Sequence, residues 1–319
     1  MAIWTVCEAR GSAFRATTYE LLSRARQVAA AAGIDSVAVV MGADTALADQ
    51  LNGQAQQVLC LQGSHLVGGD AGVWSAALAS ACKPAPPRLV LFADSDRSRE
   101  VAPALAARLG YAALANGTGL DWDADQFVLT RPVYGGKAYA SYGTGDAGCV
   151  AVFRPNSFST EPGDVATTQV RTVAVDPAPS RVRVEALQPR AGGQVPLGEA
   201  QVVVCGGRGM KAAENLALLG ELAKVLDGAV GVSRAVVDAG WAEHSAQVGK
   251  SGKTVSPGLY IVAGVSGAVH HTMGMDTAKV VVAINTDPNA PIFRYADYGV
   301  VGNALEVLPA LTAALAAQG

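Results

Sequence analysis

Short apolar runs rich in Val, Leu and Ala recur along this chain. They alternate with stretches whose apolar residues fall at helical spacing, and this alternation constrains the fold more than any other feature. Ala2–Glu8, Ser36–Met41, Gln57–Leu61 and Arg88–Ala93 read as strands. Between and after them, Thr17–Ala32, Ala46–Leu51, Val73–Ala81 and Glu100–Leu109 read as helices. Strands that are apolar on both faces and separated by helices require a mostly parallel sheet covered on both sides.

The rhythm changes at Gly119. Gln126–Pro132, Lys137–Tyr142, Cys149–Arg154 and Thr168–Val175 read as strands without long helices between them. They either extend the first sheet or pair antiparallel beside it. The stretch Asp176–Glu199 then carries Pro177, Pro179, Pro189, Pro196 and the Gly192-Gly193 pair, with Arg181–Leu187 reading as one further strand. Such a breaker-rich stretch marks a domain boundary, placed near Gly193–Leu197. The expected domains are 1–195 and 196–319.

A second α/β pattern follows. Ala200–Cys205, Ala229–Val232, Leu259–Ala263 (LYIVA), Val280–Asn285 and Tyr298–Val301 read as strands. Helices are expected at about Ala212–Leu226, in a stretch starting with Ala268–Met273, and at Ala304–Ala317. The fold class is therefore α/β, with two open, mostly parallel sheets. Ligands of such sheets bind beyond the carboxyl ends of the strands.

Composition excludes several functions. Net charge is −3, with no basic run to replace the counterions of a nucleic acid. No apolar stretch reaches the ~18 residues that a membrane span needs. Met1–Arg10 has neither a signal-peptide nor a transit-peptide pattern. The expectation is a soluble protein of the cytoplasm. Charged residues are 16% of the chain, which fits either a face covered by a partner or an Ala- and Gly-rich composition. Cys7, Cys60, Cys82, Cys149 and Cys205 are dispersed, with no C-x-x-C, and read as reduced core thiols.

The chemistry-bearing motifs gather after residue 200. Cys205-Gly206-Gly207-Arg208-Gly209 joins a strand to a helix. It serves either as a tight turn or as a phosphate site with Arg208 adding positive charge. It is not G-x-G-x-x-G, the dinucleotide fingerprint. Ser233-Arg234 ends another strand and suits an anionic ligand, or is a cap followed by a surface Arg. Gln247-Val248-Gly249-Lys250-Ser251-Gly252 is a donor-rich loop that fits a nucleotide or is a plain connection. Gly264-Val265-Ser266-Gly267-Ala268 resembles a nucleophile elbow, but Ala268 breaks G-x-S-x-G and no Asp/His partner order appears. A second phosphate-binding turn is the better reading. His270 and His271 are adjacent, about 100° apart on a helix, which disfavours shared metal ligation. One of them hydrogen-bonding a ligand, protonated and favouring a reduced anionic ring, is the alternative to a capping histidine. No catalytic residues and no metal site are assigned.

Together these segments resemble the electron transfer flavoprotein alpha-subunit family. The match is nearly continuous from LYIVAGVSGAVHHTMGM through VVVAIN (Leu259–Asn285) and on to Tyr298-Gly299. CGGRGMKAAEN (Cys205–Asn215), VGVSRAVVDAGW (Val230–Trp241) and QVGKSGKTVSPGLY (Gln247–Tyr260) follow the family's order and spacing. The first half matches more loosely, in TYELLSRARQVA, PALAARLG, TRPVYGGKA and FRPNSF.

The resemblance implies a Rossmann-like FAD-binding domain at the C-terminus and an N-terminal α/β domain that packs on a separate beta subunit. It implies FAD contacts from Arg208 and Ser233, and Arg234 over the isoalloxazine. Gln247, Val248, Gly249, Lys250 and Ser251 fall in the loop on the ring. Ser266, Gly267, Ala268, Val269 and His271 match the phosphate turn and the histidine at flavin O2. Asn285 falls near the adenosine. His270 stands where the family has Gln, and Asn303 where it often has an acidic residue. The implied activity is electron transfer within a heterodimer, from a flavin dehydrogenase such as an acyl-CoA dehydrogenase to an acceptor. An electron-bifurcating relative that oxidises NADH with a second FAD in the beta subunit shares the same pattern. An NAD(P)-dependent dehydrogenase is disfavoured because the fingerprint and a general acid/base pair are both missing.

Overall fold

The computed structural model describes residues 1–42, 45–176, 180, 182, 185 and 196–317. It divides into two compact units, Met1–Arg190 and Ala191–Gly319. The strand expected at Arg181–Leu187 falls largely outside the described residues.

The first unit begins with β1 (Ala2–Cys7), a small hairpin of β2 (Ala9–Arg10) and β3 (Ala13–Phe14), and α1 (Ala16–Ala31). Next come β4 (Asp35–Met41), the one-turn α2 (Thr45–Ala48), β5 (Gln57–Gln62), α3 (Ala71–Cys82), β6 (Leu89–Ala93) and α4 (Asp96–Leu109). The remaining elements are all strands: β7 (Ala112–Gly117), β8 (Gly119–Asp123), β9 (Gln126–Val133), β10 (Ala138–Gly143), β11 (Cys149–Phe153) and β12 (Gln169–Ala174).

Seven strands form one sheet in the order β12-β5-β4-β1-β6-β11-β7, and every neighbouring pair is parallel. Its central strands are apolar on both faces because both are covered. Trp4, Val6, Val39, Leu61 and Phe92 pack with α3 and α4, while Ile3, Leu89 and Leu91 pack with Leu21, Ala25 and Val28 of α1. The late strands do both things the sequence left open. β11 and β12 join the parallel sheet, and β8, β9 and β10 form a separate antiparallel sheet.

The second unit runs β13 (Val202–Gly206), α5 (Ala217–Val225), β14 (Ala229–Val232), α6 (Arg234–Asp238) and β15 (Leu259–Ala263). It ends with α7 (Val269–Thr272), β16 (Val280–Asn285), β17 (Tyr298–Val301) and α8 (Ala304–Ala316). All five strands are parallel, in the order β14-β13-β15-β16-β17. The chain moves outward on one side through β14, then returns to the other side of β13 with β15. That reversal opens a crevice at the carboxyl ends of β13 and β15, the place where doubly wound sheets bind ligands.

The two faces of this sheet are covered differently. On one, Val204, Ile261 and Ile284 pack under Leu219 and Leu222 of α5 and Leu308 of α8. On the other, Val203, Tyr260, Val262 and Ala283 lie under Val248, Val255, Val265, Met275 and Ile292, which come from loops and single turns. The helix expected from Ala212 starts later, at Ala217, after a 3-10 turn at Glu214–Leu216. The helix expected to start with Ala268–Met273 is present as α7, four residues between the caps Ala268 and Met273, and it does not extend further. It stops because Gly274 passes directly over the loop at Gly249, where a Cβ would lie 2.4 Å from the Gly249 nitrogen.

Candidate functional site

A cleft of about 620 Å³ opens at the β13/β15 reversal. Two strand-to-turn connections build its floor. After β13 the chain turns through Gly207, Arg208 and Gly209; after β15 it turns through Gly264, Val265, Ser266 and Gly267. The turns lock to each other through Gly207 N–H donating to Ala263 O at 2.9 Å and Gly209 N–H to Gly264 O at 3.0 Å. Gly264 and Gly267 have φ of +65° and +84°, so only glycine enters these bends without strain.

The second turn leaves its donors free. No backbone acceptor among the described residues takes the amide N–H of Ser266, Gly267, Ala268, Val269 or His270. A run of unsatisfied amides beside a cleft is an anion-binding arrangement. Arg208 adds a cation at the rim; it is exposed and forms no ion pair among the described residues.

The opposite wall comes from β14 and the loop after α6. Ser233 is buried at the start of α6, yet its hydroxyl makes no capping hydrogen bond. Arg234 extends into solvent and pairs with Asp238 at 3.4 Å. The Gln247–Gly252 loop folds back over α7. Lys250 N–H donates to His270 O at 2.7 Å, and a Cβ on Gly249 would lie 2.6 Å from the same oxygen. Gln247 donates through Nε2 to Ser251 Oγ at 3.0 Å, orienting that hydroxyl.

His271 is the most buried ionisable group of the cleft wall. Its Nε2 lies 3.0 Å from Tyr260 Oη, while Nδ1 is buried without a well-formed hydrogen bond. Burial pushes the imidazole down to about 4, with the Val248 backbone opposing the shift. Of the two states the sequence leaves open, the chain by itself holds the neutral imidazole, because none of its own groups offers a negative charge to offset the loss of water around the ring.

Of the expected residues, Arg208, Ser233, Arg234, Gln247, Val248, Gly249, Ser251, Ser266, Ala268, His270, His271 and Asn285 line the cleft. Lys250, Gly267, Val269 and Asn303 do not. Lys250 contributes its amide to the loop closure, Gly267 its backbone bend, and Val269 is an exposed first residue of α7. Asn303 caps α8, its Oδ1 accepting from Leu305 N–H at 3.2 Å and its Nδ2 donating to Glu306 at 2.9 Å. Asn285 lines the cleft, but both ends of its amide are used, Nδ2 toward Val265 O at 2.9 Å and Oδ1 from Asp287 N–H at 3.0 Å. The sequence reading missed two lining carboxylates, Asp238 and Asp287. The helical spacing of Asp238 from Arg234 was the available signal for the first.

The donor set suits a flavin dinucleotide. Free amides and Arg208 match a diphosphate, while Ser233, Arg234, Ser251 and His271 supply hydroxyl, cationic and imidazole groups for a polar ring. The family model described as the electron transfer flavoprotein FAD-binding domain matches residues 196–276, and the electron transfer flavoprotein domain matches residues 3–178. An electron transfer flavoprotein subunit alpha of Bacillus subtilis is 33% identical over 306 residues, covering 96% of this chain and 94% of its own length. A Protein FixB of Clostridium saccharobutylicum is 34% identical, covering 98% and 95%. A subunit alpha of Mycobacterium leprae is 39% identical over 243 residues, covering 76% and 75%. The cofactor of this domain is FAD. The chain belongs to the electron transfer flavoprotein alpha-subunit family.

Proposed function

We propose that this chain is the FAD-carrying subunit of a heterodimeric electron carrier. It would receive electrons from a flavin dehydrogenase, such as an acyl-CoA dehydrogenase, and pass them to an acceptor. The single observation that supports this most is the cleft itself. Five free amides and Arg208 stand on one side, and Ser233, Arg234, Ser251 and His271 on the other. No positioned nucleophile or general acid/base pair is identified among them.

Bound FAD supplies one- and two-electron redox chemistry at its ring. The protein's part is to bind, orient and tune. The amides of Ser266–His270 hold the diphosphate. Arg234 brings a permanent positive charge to the ring side, which favours the reduced, more negative cofactor. Ser251, held by Gln247, and Ser233 offer hydroxyls whose orientation the loop fixes. Lys250, Gly267, Val269, His270 and Asn285 serve the same site through backbone placement or rim polarity, while Asn303 caps α8. The first domain, 1–195, carries the face for the beta subunit.

Co-expression with the beta chain, followed by counting flavin and AMP and by redox titration, tests the proposal. One FAD held on this chain and reduced by a flavin dehydrogenase is the expected result. A correctly assembled, colourless heterodimer that takes up no FAD from excess would overturn it. A second FAD in the partner together with reduction by NADH would identify the bifurcating type.

A further inference from the structure

Three neutral, proton-bearing groups run in a line from the core of the second unit to the cleft. Cys205 is the last residue but one of β13 and is fully buried; Tyr260, on the neighbouring β15 opposite Val203 and so diagonal to Cys205, is also fully buried; His271 stands on α7 at the cleft wall. The Tyr260 hydroxyl lies 3.0 Å from His271 Nε2, and the Cys205 thiol is its other polar neighbour in the core. This cluster is not part of the expected cofactor contacts, which include His271 alone.

We propose that Tyr260 is a positioning residue that fixes the tautomer of His271, keeping the imidazole neutral with its proton on Nδ1. The direction of the chain follows from acceptor strength. The phenol has one proton to give, and its two candidates are an imidazole nitrogen and a sulfur. Imidazole nitrogen is a good acceptor, whereas a thiol is a weak one. The phenol proton therefore goes to Nε2. Burial keeps both outer protons in place, raising Tyr260 well above its ordinary value and Cys205 to about 12.

A neutral imidazole whose Nε2 accepts must carry its proton on Nδ1. That nitrogen is buried beside the backbone of Val248, another residue of the cleft wall, and lacks a well-formed partner. A histidine in this state is a neutral donor. Resting on the FAD reading above, its Nδ1–H faces the backbone carbonyl of Val248 and so braces that stretch of the cleft wall, and it does so without bringing a charge. The opposite tautomer would turn a lone pair toward that carbonyl and repel it.

The test is nitrogen NMR of the full chain assembled with its partner subunit and labelled with [15N]histidine. It is run with FAD bound and after FAD is stripped, and His271→Gln assigns the signals. The expected result is a protonated Nδ1 and an unprotonated Nε2 in both forms between about pH 6 and about pH 8. Tyr260→Phe keeps the ring and its packing; it is expected to lose this pattern and to speed FAD release about three- to tenfold, the worth of one hydrogen bond. Cys205→Ala is expected to keep the pattern, because the phenol proton already faces the better acceptor. A wild-type His271 protonated on Nε2, or on both nitrogens, overturns the proposal, as does a pattern unchanged in Tyr260→Phe. If the stripped protein shows the pattern and takes up no FAD, the tautomer assignment stands and the FAD reading fails.

Discussion

Gly209 and Gly264 meet back to back: a Cβ on Gly264 would lie 2.8 Å from the Cα of Gly209, and one on Gly209 2.7 Å from the Cα of Gly264. The turns after β13 and β15 close on each other only because neither residue has a side chain. Gly264 also holds φ +65°, which a side chain resists. Gly264→Ala is expected to destabilise the protein by about 2–4 kcal/mol and to deplete bound FAD. Urea unfolding with flavin quantification checks this; a loss below about 0.5 kcal/mol would show that the turns yield easily.

Arg234 brings positive charge to one wall of the cleft, and Asp238 at 3.4 Å partly cancels it. Arg234→Ala is expected to lower the FAD reduction potential, by the order of 1 kcal/mol per electron for one unit charge at this exposure. Asp238→Asn is expected to move the potential the other way by a smaller amount. Redox titration of both variants reads the signs directly, and two shifts of the same sign would contradict the assignment.

The neutral state of His271 has a stability consequence. Its folded-state value of about 4 lies below the ordinary 6.5, so the unfolded chain binds the proton first as pH falls. The stability tied to the neutral ring is fully present above about 6.5 and drains away between there and about 4, with on the order of 3 kcal/mol at stake. His271→Asn is expected to flatten the pH dependence across that window. Urea midpoints of the flavin-stripped protein near neutrality and near pH 4.5 measure it; parallel wild-type and variant curves would count against the depressed imidazole.

Cys7, Cys60, Cys82, Cys149 and Cys205 are all buried and unpaired. Burial raises Cys82 to about 12 and Cys149 to about 11, so the reactive thiolate is scarce. An aromatic disulfide reagent is expected to label none of the five rapidly in native protein and all five in denaturant. Fast stoichiometric labelling of the native state would place at least one thiol at the surface.

Much of the first sheet was legible because Ser36–Met41 and Arg88–Ala93 are continuous apolar runs, and only a strand buried on both faces needs them. β7 escaped notice for the opposite reason. Its sequence, AALANG, has little intrinsic strand preference and is held by parallel pairing with β11. In the second unit the LYIVA and VVVAIN strands were plain, and so were the glycine turns that follow them. The short α7 agrees with Ala268–Met273 to one residue at each end, and it goes no further because Gly274 passes over Gly249, which local sequence does not reveal. For the same reason the sequence leaves the charge state of His271 open. Its environment is made by Tyr260 and Val248, which lie 11 and 23 positions away in the chain and meet it only after folding.

The unequal cover of the second sheet has a thermodynamic corollary. α5 and α8 form a self-sufficient apolar layer, while the opposite layer is assembled from loops that contribute one or two anchoring side chains each. FAD then behaves as a missing structural element of that layer, and its departure should loosen one side of the sheet while the helical side stays protected. Hydrogen exchange would register this as two tiers of amide protection, with only the lower tier depending on flavin concentration.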